Sequence, residues 1–94
     1  MARSVSFNVA YDAGADVLYI TARREPASRG REDRHGIVWR YGSDGELIGA
    51  TVMDFREVWS ERAEALADEL AVRFDIPTLQ ALTVVEHALG DQFE

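Results

Sequence analysis

Two alternating stretches, each broken by a short turn rich in Gly and Asp, constrain this chain more than any other feature. Val5, Phe7 and Val9 alternate with Ser6, Asn8 and Ala10, the period-two pattern of a strand with one buried face. Asp12-Ala13-Gly14-Ala15-Asp16 reads as a turn, because Asp carboxylates bond nearby backbone and Gly tolerates positive φ. A second strand is predicted over residues 17–22. Residues 36–41 and 46–54 form the second hairpin, closed by Ser43-Asp44-Gly45. In its last strand Ile48, Ala50 and Val52 share an apolar face assigned to the core, opposite Leu47, Gly49, Thr51 and Met53.

The two hairpins are separated by residues 23–35, where Pro26, Ser28 and Gly30 interrupt a run of charges without apolar periodicity. An exposed loop is expected there. Its arginines, Arg23, Arg24, Arg29, Arg31 and Arg34, have the forked geometry that suits phosphate or carboxylate. Three interleaved acids make a solvated loop the plainer reading. After the second hairpin the period changes. Asp54 and Glu57 have the spacing of a capping box, and Phe55, Trp59, Ala63, Leu66, Leu70 and Phe74 recur at helical spacing. Ser60 is a competing start. Pro77 suits the first position of a second helix and Gly90 its C-terminal cap. Within that helix Leu79, Leu82, Val84, Val85, Ala88 and Leu89 cover more than one stripe.

A chain of 94 residues that is 47% hydrophobic and 29% charged is expected to fold as one domain, residues 1–94, with one modest core. The sheet is assigned to residues 4–54 and the helical segment to residues 55–90. The predicted fold class is α+β, a four-stranded antiparallel β-meander followed by two C-terminal helices. Absence of cysteine excludes disulfides and thiolate metal sites. No apolar run approaches the length of a membrane-spanning helix, and the opening residues do not read as a secretion signal. A cytoplasmic location is expected. All ten basic residues are Arg, and the net charge is −7. Residues 1–40 hold seven Arg against five acids, whereas residues 41–94 hold three against twelve. Such an acidic second half disfavours a nucleic-acid surface.

Candidate chemistry is sparse. Asp12 and Asp16 lack the further oxygen ligands of a calcium loop, and turn capping accounts for them. A hairpin turn accounts for Asp44-Gly45. His35 and His87 lie in no metal-ligand pattern, and neither neighbours an activated nucleophile. Trp39 and Trp59 read as core aromatics ahead of a ligand-stacking pair. No phosphate loop, nucleophile elbow or zinc motif occurs. Neither a metal nor a cofactor is assigned.

The run Tyr11-Asp12-x-x-Ala15-Asp16-x-Leu18-Tyr19-Ile20, with Asp44-Gly45-x-x-x-Gly49 and a closing Asp54, resembles a widespread bacterial family of small domains of unknown function, number twenty-two eighty-three. The resemblance covers residues 7–54. It implies a four-stranded antiparallel sheet, often ending in a short helix, and no established catalytic residues. Some members are encoded beside small ribonuclease-like toxins, which implies an antitoxin or partner-binding role for those members. This chain departs from the pattern at Thr51, Arg40 and Ser43, where members carry acids, and in the segment beyond Glu57.

These readings converge on a non-enzymatic protein-interaction module, antitoxin-like in its sharper form. Its candidate contact residues are Arg23, Arg24, Arg29, Arg31 and Arg34 in the loop and Leu79, Val84 and Ala88 on the last helix. The alternative is a small-ligand binder or enzyme with a pocket around Tyr11, Asp16 and Tyr19. Unpaired sheet edges and surplus apolar helix surface predict a homodimer. A toxin-like protein partner is allowed, whereas membrane and nucleic-acid partners are not expected.

Overall fold

The computed structural model describes residues 7–90. It contains five strands, β1 (Asn8–Asp12), β2 (Val17–Thr21), β3 (Arg29–Glu32), β4 (Ile37–Tyr41) and β5 (Leu47–Met53). Three helices follow, α1 (Phe55–Trp59), α2 (Ala63–Phe74) and α3 (Thr78–Gly90). The class is α+β, with an antiparallel sheet and C-terminal helices. The expected start of the sheet at residue 4, including Val5, lies outside the described residues.

Two details of the expected fold are corrected. The sheet has five strands rather than four, and its order is β1-β2-β5-β4-β3 rather than a meander. The additional strand comes from the stretch expected to be a loop. Its Arg-Gly-Arg-Glu sequence is exposed on every residue, so it carries no apolar pattern and is tolerated only at an edge. β5 takes the middle because it is the longest strand and five of its seven residues are buried. The chain reaches the far edge by passing the end of β5. Ala22 and Arg23 N–H both donate to the Ile48 carbonyl, at 2.8 and 3.2 Å, and Ser28 N–H donates to Tyr41 O at 2.8 Å.

Register then assigns the faces. Leu18 pairs with Val52 and Ile20 with Ala50; from the other side Ile37 pairs with Val52 and Trp39 with Ala50. These six side chains form the sheet's half of the core. Phe55 and Trp59 of α1, Leu66 and Leu70 of α2, and Ala81, Val85 and Ala88 of α3 supply the other half. The expected core assignment of Ala50 and Val52 stands, but a bulge shifts what precedes them. Arg40 pairs with Gly49 while Tyr41 pairs with Leu47, leaving Ile48 unmatched. Leu47 therefore packs against the core, and Ile48, although buried, lies outside that cluster.

The single expected first helix is two. α1 ends at Trp59, Ser60 to Arg62 form a break, and α2 restarts at Ala63; Ser60, expected as a competing helix start, instead closes the end of α1, and Arg62 precedes α2. Asp54 does not form the expected capping box. It adopts the left-handed conformation, with φ 52°, and its side chain accepts no cap hydrogen bond. Asp16 and Asp75 share that conformation, which Asp tolerates better than most residues. Gly90 lies within α3 rather than capping it. α2 and α3 pack against each other and the core, consuming most of the surplus apolar surface attributed to α3.

Candidate functional site

Tyr11, Asp12 and Asp16 surround the turn of the first hairpin, and each is occupied by structure. Asp12 Oδ1 accepts the N–H groups of Gly14 at 3.0 Å and Ala15 at 3.2 Å, which closes the turn. Asp16 faces away from it. Its carboxylate accepts the Tyr11 hydroxyl at 2.7 Å and the backbone N–H groups of Arg56 and Glu57 at 2.8 and 3.2 Å. Its carbonyl accepts Phe55 N–H at 3.0 Å. The helix α1 is thus capped by a residue in the first hairpin, a role the neighbouring Asp54 was expected to fill. Burial alone would raise the Asp16 carboxyl; donors from Arg56, Tyr11 and Glu57 outweigh it and hold the group below 3.8. Tyr11 is pushed above 10.0 by burial and by the Asp16 carboxylate beside it.

Tyr19 does not join this pair. Tyr11 pairs with Leu18 on the core side, whereas Tyr19 pairs with Ala10 and Thr51 on the opposite face. The three residues of the expected pocket therefore line no common hollow.

The arginine-rich segment is organised by acids. Arg23 forms ion pairs with Asp44 at 3.0 Å and Glu25 at 3.2 Å, tying the crossing segment to the β4–β5 turn. Asp33 builds the β3–β4 turn, accepting His35 and Ile37 N–H at 2.8 and 3.1 Å and the Trp39 indole N–H at 2.9 Å. Against a burial effect that raises it, those donors hold the Asp33 carboxyl down. The Asp44 carboxyl is lowered chiefly by the Arg23 hydrogen bond. The three carboxyl shifts thus favour the charged carboxylate, and the Tyr11 shift the neutral phenol. Arg29 lies over the Tyr41 ring at 5.2 Å, while Arg24, Arg31 and Arg34 are exposed. On α3 Leu79 is 75% exposed, Val84 is half-buried against the core, and Ala88 is buried within it. The expected stripe is therefore divided, and only Leu79 of the three is a surface side chain.

The helices cover one face of the sheet. The other presents Tyr19 and Met53, 41% and 42% exposed, beside Thr51 and the guanidinium of Arg40. Arg40 Nε donates to Thr51 Oγ1 at 2.9 Å. Sequence reading missed this pairing because the residues belong to different strands and only the β4–β5 register makes them neighbours. Among the described residues no group of His, Asp or Glu side chains is arranged to hold a metal ion. No described helix is long and apolar enough to cross a membrane.

Sheet and caps define a small α+β domain in which the first hairpin anchors the first helix. The chain belongs to the family described as Protein of unknown function (DUF2283), whose model matches residues 8–56. That match runs from the start of β1 to Arg56, so it contains Asp16 and the Arg56 N–H it accepts and omits most of α1 together with α2 and α3. No curated protein and no solved structure matches the chain.

Proposed function

We propose that this chain is a non-enzymatic protein-interaction module that contacts its partner through the sheet face opposite the helices. One observation carries the reading: Tyr19 and Met53, two large side chains, stand about two-fifths exposed there. Val38 and Ala10 extend the same face by register. Aromatic residues and Met are enriched at protein interfaces, where they bury large area at little entropic cost. The roles of Asp16, Asp33 and Asp44 in caps, turns and ion pairs support the non-enzymatic half, because local donors hold each in its ionised form, and Asp12 is taken up by the backbone of its own turn.

In its sharper form the module is antitoxin-like, covering a toxin-like protein with this face. The test is affinity capture from native lysate with the wild-type chain and with the double variant Tyr19→Glu, Met53→Glu. A stoichiometric partner retained by the first and lost by the second supports the reading. A partner equally retained by both rejects the assigned face. If the partner arrests growth when expressed alone and the chain relieves that arrest, the antitoxin form holds.

The β1 edge favours self-association as well. β3 covers its own edge with Arg29, Arg31 and Glu32, whereas Asn8, Val9, Ala10 and Tyr11 of β1 are uncharged. A homodimer pairing β1 with β1 is the assembly this asymmetry predicts.

A further inference from the structure

On the face opposite the helices, β2, β4 and β5 and the segment after β2 line an open hollow of about 180 Å³. Gly49 keeps the sheet tight beneath it, since a β-carbon there would sit 2.9 Å from the Ile20 carbonyl oxygen. Arg40 is half-buried and braced by the hydrogen bond from its Nε to Thr51 Oγ1. A guanidinium has five N–H donors, and this bond uses one. No other acceptor and no carboxylate engages Arg40 among the described residues. In a chain with 17 acids and ten basic residues, a half-buried cation without an acid calls for explanation. The second cation of the hollow, Arg23, is already neutralised by Glu25 and Asp44.

We propose that this hollow binds a carboxylate, with Arg40 as the charged anchor and Thr51 as its brace. A planar guanidinium matches a carboxylate through two parallel N–H···O bonds. A phosphate dianion is disfavoured, because one cation is available and Glu25 lines the same hollow. Tyr19 and Thr21 add hydroxyl groups, while Ala27 and Ile48 offer apolar wall to a short tail. The hollow has room for a short-chain acid or an acidic side chain. Neither source requires the partner reading above, since binding is a property of the chain alone.

The test is a titration of the isotope-labelled full chain, read at the Arg40 Nε–H resonance and the backbone amides of Gly49 and Thr51. The probes are sodium propionate and a blocked glutamate, acetylated and amidated, against sodium chloride at matched ionic strength. A saturable shift with either carboxylate and none with chloride is expected. Arg40→Gln should weaken binding at least tenfold. Thr51→Glu should abolish it by placing a tethered carboxylate beside Arg40, and circular dichroism establishes that each variant is folded. If Arg40→Gln fails to fold, Arg40→Lys replaces it, keeping the charge but losing the fork, and weaker binding is again expected. Tighter propionate binding identifies a free acid as the source, and tighter blocked glutamate a protein side chain. Shifts that do not saturate, that chloride reproduces, or that persist in the folded variants overturn the site.

Discussion

The Asp16 carboxylate accepts the Arg56 N–H at 2.8 Å across a separation of 40 residues, so the first hairpin sets the start of the first helix. Removing a side-chain cap costs about 1–2 kcal/mol, and here the Tyr11 hydroxyl would lose its acceptor as well. Asp16→Ala should therefore lower the melting temperature by roughly 10 °C, taking about 4–8 °C per kcal/mol for a domain of this size. Asp12→Asn keeps its turn acceptor and should change it by no more than a few degrees. Thermal denaturation of the two variants side by side separates a cap joining distant elements from a local turn bond.

Acid should weaken the fold through the same contacts. Asp16, Asp33 and Asp44 all have folded-state carboxyls below the unfolded value of 3.8. A depressed carboxyl stabilises the fold above its unfolded pKa, and that contribution is lost as pH falls through the folded pKa. Stability contributed by these groups should be level above about pH 5 and decline below about pH 4. Chemical denaturation across that range checks the sign. Asp16→Asn should flatten part of the decline, and an unchanged acid limb would remove Asp16 as a source.

The two buried tryptophans differ in what their indole N–H groups meet. Trp39 donates to Asp33 at 2.9 Å, whereas the Trp59 nitrogen is buried with no hydrogen-bond partner among the described residues. Both replacements by Phe lose packing. Only Trp39→Phe also takes a donor from a carboxylate, a loss of about 1.5–3 kcal/mol for a charged partner. Trp39→Phe should be the more destabilising in urea titration, and equal midpoints would refute the assigned role of Asp33.

Two glycines make a second contrast. A β-carbon at Gly49 would meet the Ile20 backbone oxygen at 2.9 Å, whereas at Gly42 it would meet the tip of Glu25 at 2.7 Å. Backbone held in a sheet cannot yield, but an exposed carboxylate can swing away. Gly49→Ala should therefore cost about 1–3 kcal/mol. Gly42→Ala should cost less and disturb the Arg23–Glu25 pair, a difference that melting curves resolve.

Pairing along the β1 edge should appear as a mass near twice 10.5 kDa in light scattering at micromolar concentration. A mass near 10.5 kDa rejects the homodimer.

The sequence by itself determined the local elements. Alternation marks β2, β4 and β5, Gly and Asp mark their turns, and the 3.6-residue period marks α2, because each signal arises from neighbours within one turn or strand. It also placed Trp39, Ala50 and Val52 in the core. Strand order, however, depends on which segments pair across the chain, and neither the edge strand β3 nor the central place of β5 has a local signature. Arg29–Glu32 reads as loop because an edge strand in solvent buries nothing that a period could record. The bulge at Ile48 turned Leu47 toward the core for a related reason, since one unmatched residue reverses the alternation beyond it. The candidate hollow was equally hidden, because Arg40 and Thr51 become partners only through the β4–β5 register. Asp16 illustrates the division most directly: its place in a turn is a property of the sequence nearby, but its role as a helix cap exists only after the sheet has brought Arg56 to it.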